Sequence, residues 1–141
     1  MKALTVRQPF PALIMAGLKT LESRTWDTKF RGELLICAGK TAHSLFREYD
    51  WDTQRLVLDN YYAPKYYDVP KEFMLRDGQA CCVVDVTDVR LMTREDETLA
   101  CCDWYPDAYV FVLENIRLVK PFEVRGRLNF FEVDDSLIKY L

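Results

Sequence analysis

The spacing of apolar and polar positions changes several times along the chain, and each change marks an element. Residues 3–7 alternate and predict a strand. Pro9, Phe10 and Pro11 follow, where proline suits a first helical turn, and then an apolar run. That run, 12–16, is apolar on every side, which predicts a buried helix, and Gly17 supplies its stop. Residues 20–26 predict a second strand, with Thr20, Glu22, Arg24 and Trp26 on one face and Leu21, Ser23 and Thr25 on the other. A turn at Phe30, Arg31 and Gly32 leads into 33–38, apolar enough for a central strand.

Residues 42–62 are helical and acidic in character, in two pieces broken near Asp50–Asp52. Leu45, Phe46, Tyr49, Leu56 and Tyr61 form the expected buried stripe. Residues 63–78, with two prolines, a glycine and the Tyr66–Tyr67 pair, read as a loop. Three more strands are predicted at 80–91, 108–119 and 127–133. The polar link 93–103 holds a short helix and 136–141 is a tail. The pattern is α+β: several mostly antiparallel strands curling into a small barrel flanked by short helices, in one domain over 1–141.

Composition narrows the class. The 141 residues are 50% hydrophobic and 29% charged, a globular balance able to bury one core. No apolar run reaches the length of a membrane span, and MKALTVRQPFP lacks a signal-peptide core, so a cytoplasmic protein is expected. Five cysteines occur as Cys37 and two vicinal pairs, Cys81–Cys82 and Cys101–Cys102. That odd count makes a poor disulfide framework and fits a reducing compartment. No CxxC occurs and His43 is the only histidine, so no metal or other cofactor is expected.

Charge is uneven. The net charge is −3, yet residues 1–40 carry +4 and the rest −7. Coating a long duplex requires neutralising many phosphates, which an acidic chain does poorly. A basic N-terminal third on a repelling surface suits a short single strand or a nucleotide.

Candidate chemistry clusters in that third. Lys19 could pair with a phosphate, act as a base if desolvated near Arg24, or simply cap the first helix. Glu22 and Arg24, two apart on one face, make either an ion pair or a reader of base edges and phosphate. Arg7 and Gln8 precede a helix start, a common anion site, although Pro9 and Pro11 remove two of its amide donors. Arg31, at a tight turn, would bond carbonyls or ligand. Trp26, Trp104, Tyr105 and Phe130 are stacking candidates, Trp26 foremost because it shares a face with Glu22 and Arg24. His43 stands alone in an expected helix and offers no catalytic triad.

The order of these motifs resembles the ASCH domains of the PUA-like superfamily. An opening strand leads into Arg7-Gln8-Pro9 and a short helix, then a GxKTxExR element over residues 17–24, which includes Lys19, Thr20, Glu22 and Arg24. Arg31-Gly32 and a hydrophobic strand closed by Gly39-Lys40 follow. Leu113-Glu114-Asn115 through Pro121, then Arg125-Gly126-Arg127, resemble the family's last strands and glycine turn, while about 41–70 reads as a helical insertion. The resemblance implies a PUA-like β-barrel with a cleft between the first helix and the GxKTxExR strand. It also implies binding of single-stranded RNA, a nucleotide or a modified nucleoside. The nucleic-acid-binding set would be Arg7, Gln8, Lys19, Thr20, Glu22, Arg24, Trp26 and Arg31.

Some small relatives in this family resemble amidohydrolases acting on N4-acylated cytidines through a lysine, a threonine three residues later and a distant glutamate. Lys19 matches the lysine, Glu22 stands where the threonine would be, and Glu95, Glu97 and Asp103 are candidates for the distant acid. If the chain is a hydrolase, Lys19 and Glu22 are its expected acid–base pair, on a nucleoside or RNA. A third class is a protein-interaction module built on the acidic stretch 42–62.

Overall fold

The computed structural model describes residues 1–43, 46–61, 66 and 69–141. Its strands are β1 (Lys2–Val6), β2 (Leu21–Arg24), β3 (Gly32–Ala38), β4 (Ala80–Leu91), β5 (Tyr109–Leu118) and β6 (Phe130–Glu132). Its α-helices are α1 (Phe10–Met15), α2 (Trp51–Tyr61) and α3 (Glu97–Ala100). The strands make one six-stranded sheet in the order β2-β5-β4-β3-β1-β6. Only β1 and β3 pair in parallel, with α1 and β2 lying between them in sequence; the other pairs are antiparallel. The sheet is mixed and open in its strand order, with β2 and β6 at the edges, where a barrel was expected. Register shifts between Val83 and Asp85 and between Val86 and Asp88 interrupt the β4–β5 pairing. Such irregularities bend a strand and raise its twist, so the long central strands curl.

Both faces of the middle strands are buried, as their unbroken apolar runs require. One face carries Leu4, Val6, Leu34, Ile36, Val84 and Phe111 against Ile14 and Met15 of α1. The other carries Ala3, Leu35, Cys37, Val83 and Val119 under Phe122, Val124, Phe131 and Ile138 of the C-terminal segment. A bridge between Val119 and Tyr140 ties in the final residues, read from the sequence as a short tail.

The stretch 42–62 departs most from expectation. Phe46 is buried, but Tyr49 and Leu56 are 46% and 49% exposed, while Leu45 and the Tyr61 side chain lie outside the described set. The helix begins only at Trp51, and the faces of α2 follow that start. Trp51, Gln54 and Leu58, spaced as one helical face, turn inward beside Ala12 and Leu13 of α1. The Gln54 amide reaches the carbonyls of Phe46 (3.4 Å) and Tyr49 (2.8 Å), tying the helix to the turn before it. No helix among the described residues is long and apolar enough to cross a membrane.

The inverted stripe gives a direct stability contrast. Leu58→Ala should cost about 2–4 kcal/mol in denaturant unfolding, and Leu56→Ala no more than about 0.5 kcal/mol.

Candidate functional site

The sheet and α1 meet at a cleft of about 830 Å³, lined among others by Thr5, Arg7, Phe10, Lys19, Glu22, Ser23, Arg24 and His43. Its size is that of an ordinary small-molecule site, about 300–1,000 Å³. At its base lies Lys19, only 1% exposed. The turn after α1 sends its ammonium inward, where it donates to the carbonyl of Leu21 at 2.8 Å and to that of Ala100 at the end of α3. It lies 3.9 Å from the Glu22 carboxylate and 5.0 Å from the centre of the Phe10 ring. Two carbonyls and a carboxylate therefore take up a charge that burial would otherwise make very costly.

Glu22 is 5% exposed, and its second carboxylate oxygen has no hydrogen-bond partner. Two more buried polar atoms on the same lining share that state, the Thr5 hydroxyl and the Arg24 Nε. An unsatisfied buried group costs about 1–3 kcal/mol, and buried polar groups are nearly always paired. Here an acceptor, a donor and a hydroxyl that is both belong to three residues lining one cavity, a polar set rather than an apolar one. Arg24 makes no ion pair with Glu22; its guanidinium donates to the Thr5 carbonyl at 3.0 Å, joining β2 to β1 across the cleft.

The remaining expected residues divide clearly. Arg7 is exposed and lines the cleft. Gln8 is 2% exposed and turned away: its amide donates to the Phe73 carbonyl (3.0 Å), and its oxygen accepts from Ala12 N (3.3 Å). Gln8 thus satisfies a helix start that prolines leave short of donors, a structural task. Thr20 is held through its backbone to Leu99 and Leu113 and is not on the lining. Trp26 follows the end of β2 and packs edge-on against Phe111 and Phe130, at 5.2 and 5.1 Å, in the core rather than the cleft. Arg31 bonds the carbonyls of Thr28 and Phe30 and lies 3.5 Å from Asp88, on another surface.

Other cleft residues, Asp103 and Tyr105 apart, carried no clear signal in the sequence. His43 is brought beside Phe10 by a backbone bond to the Gln8 carbonyl, and its ring stands edge-on to Phe10 at 5.3 Å. Partial burial, with the nearby Arg7 charge, lowers its pKa below the usual histidine value and favours the neutral ring. Ser23 Oγ lies 3.3 Å from Cys102 Sγ, both on the lining. Of the three distant acids, only Asp103 reaches the cleft; Glu95 is exposed elsewhere, and Glu97 accepts from the Trp104 backbone at 2.6 Å. Tyr105, Arg127 and Asn129 complete the rim. The other thiols are inert by burial, Cys37 and Cys81 being pushed up to about 12.

The segment that delivers Ala100, Cys101, Cys102 and Asp103 is fixed by Asp96. It takes a two-pronged bond from Arg90 (2.7 and 2.9 Å) and caps the turn at Thr93. The Arg90 hydrogen bonds hold its carboxyl down at about 2, with help from Thr93 and against the effect of burial. A carboxyl held below its unfolded value stabilises the fold at neutral pH, and that contribution fades as pH falls from about 4 towards 2. Asp96→Asn should therefore cost about 1–2 kcal/mol at pH 7 and flatten the acid limb of a stability–pH curve measured by chemical denaturation.

Comparison with known proteins agrees with this architecture. The ASCH domain family model matches residues 4–124. No curated protein matches the sequence. Among solved structures, the crystal structure of ASCH from Zymomonas mobilis superposes with a TM-score of 0.56 at 9% identity, covering 96% of this chain and 88% of that one. A tyrosine-to-phenylalanine mutant of the Zymomonas mobilis ASCH protein gives 0.55 at 9% identity, with 98% of each chain covered. Its serine-to-alanine mutant gives 0.54 at 9%, covering 98% of this chain and 96% of that one. With the family model spanning β1 through most of the sheet and the same fold in these structures, the chain belongs to the ASCH domain family.

Proposed function

We propose that this ASCH domain, with a curled sheet of the PUA-like kind, binds an unpaired nucleobase in the Lys19–Glu22 cleft, as part of a short single-stranded RNA or as a modified nucleoside. The observation that carries this reading is that three residues lining one nucleoside-sized cavity, Thr5, Glu22 and Arg24, each hold a buried polar atom without a partner. Bases present neighbouring donors and acceptors in a plane, and unpaired ones are read on those edges and stacked on rings. Glu22 would accept from an amino or imino group, with Lys19 holding the carboxylate in place. Phe10, neutral His43 and Tyr105 supply ring faces, Tyr105 being one of the four stacking candidates of which Trp26 was the foremost. Arg7 and Arg127 put cations at the mouth for phosphate. The free buried thiols suit a reducing, cytoplasmic setting.

Hydrolysis of an N4-acylated cytidine is the second reading, and the Ser23 hydroxyl in the cleft with Asp103 favours it. It ranks lower because Lys19 spends its donors on two carbonyls, and the Ser23 hydroxyl meets Cys102 rather than a base. Under this reading N4-acetylcytidine is converted to cytidine and acetate, and Ser23→Ala abolishes the conversion. Chromatographic absence of cytidine after prolonged incubation removes it.

Binding of labelled short single-stranded RNA of mixed sequence, followed by anisotropy at several salt concentrations, tests the first reading. Micromolar affinity with a shallow salt slope is expected. Glu22→Gln should weaken it at least tenfold at a temperature where the variant is still folded, because an amide donates where the carboxylate accepts, and should also lower the melting temperature by leaving the buried Lys19 charge without its partner. Arg127→Ala should reduce the slope by about 0.7, one single-strand phosphate. Equal affinity in wild type and Glu22→Gln would refute the base-reading role.

A further inference from the structure

A second cavity, of about 730 Å³, adjoins the cleft and shares Thr5, Arg7 and Gly126 with it. Its character differs. Arg7, Lys40 and Arg125 line it with Glu123 as the only acid, on a protein whose net charge is −3. No ion pair among the described residues engages Arg7, Lys40 or Arg125. On an acidic molecule with carboxylates to spare, three unengaged cations around one hollow form a local positive field that attracts anions. Thr5 lines both cavities, and its hydroxyl is one of the unsatisfied buried atoms.

Three glycines line this cavity, Gly39, Gly78 and Gly126. A Cβ at Gly126 would meet the Thr5 side chain at 3.2 Å, and one at Gly39 would come to 3.5 Å from it. At Gly78, whose φ is +73, a Cβ would press on the Lys40 side chain at 3.2 Å. The chain thus approaches the hollow with bare backbone at three points, as phosphate-binding surfaces commonly do.

We propose that the second cavity is a phosphate subsite, so that the ligand is a strand rather than a free nucleoside. The base occupies the Lys19–Glu22 cleft, and the adjacent phosphodiester crosses Thr5 and Arg7 to sit between Lys40 and Arg125. This inference rests on the base-binding reading of the first cleft and adds the class of ligand to it. Arg7 is shared by both compartments, and Lys40 and Arg125 belong to the second alone.

Calorimetric titration of wild type and the double variant Lys40→Ala/Arg125→Ala tests it, using the four ribonucleosides, their 3′- and 5′-monophosphates, and dinucleoside monophosphates without terminal phosphate. Both replaced side chains are exposed, and matching thermal melts confirm the fold. Wild type should bind the preferred dinucleoside monophosphate at least tenfold more tightly than the parent nucleoside. The double variant should lose that gain and keep nucleoside affinity within twofold. Monophosphates gaining as much as the diester would overturn the strand assignment in favour of a mononucleotide ligand. Equal affinity for nucleoside and diester, unchanged in the double variant, would overturn the subsite and leave the base cleft standing. Binding of none of these compounds would overturn both.

Discussion

Burying the Lys19 ammonium beside the Glu22 carboxylate sets the terms for the surrounding structure, because neither charge is tolerable there alone. The lysine needs acceptors, and two of them are backbone carbonyls from distant parts of the chain, Leu21 at the start of β2 and Ala100 at the end of α3. Satisfying one cation therefore brings together α1, the β2 edge and the segment after β4. A buried ion pair of this kind contributes little net stability against an apolar replacement, since desolvation offsets most of the attraction. Its consequence is positional: it fixes a carboxylate in the lining of a cleft with one oxygen still without a hydrogen-bond partner.

The surrounding architecture reinforces this position. Gln8 secures the start of α1, Arg24 ties β2 to β1, and Arg90 with Asp96 anchors the turn leading into α3. These polar contacts lie around the cleft, while the apolar faces of β1, β3 and β4 hold the sheet behind it. The rim is basic although the whole protein is acidic, so the field directs an anion to the cleft and weakens contact elsewhere. Such a distribution is poorly suited to coating a long duplex, which requires neutralising many phosphates.

Much of this was legible in the sequence, for physical reasons that differ by element. The β4 strand was found to the residue because nine of its twelve positions are β-branched or apolar, four of them valine. Lys19, Glu22 and Arg24 were legible as neighbours, being so close along the chain. Which partners they take was not, because the Ala100 and Thr5 carbonyls come from other elements and backbone carbonyls leave no mark on the sequence. Trp26 was misplaced by extending strand alternation two residues beyond the end of β2. The stripe on α2 was misread because its phase depends on where the helix begins, and that start at Trp51 is set by Asp50, whose carboxylate accepts from Thr53 N at 2.8 Å. His43 looked isolated for the same reason that Asp103 was one of three alternatives: their place in the cleft is decided by tertiary folding.

The central claim is that the cleft over Lys19 and Glu22 is where the ligand sits. Amide chemical-shift mapping during titration with a short single-stranded RNA tests it most directly. The account expects saturable shifts grouped at Thr5, Arg7, Glu22, Ser23, Arg24, Cys102, Asp103 and Arg127. Shifts confined to α2 or to the outer surface around Arg31, with the cleft residues unmoved at saturation, would contradict it.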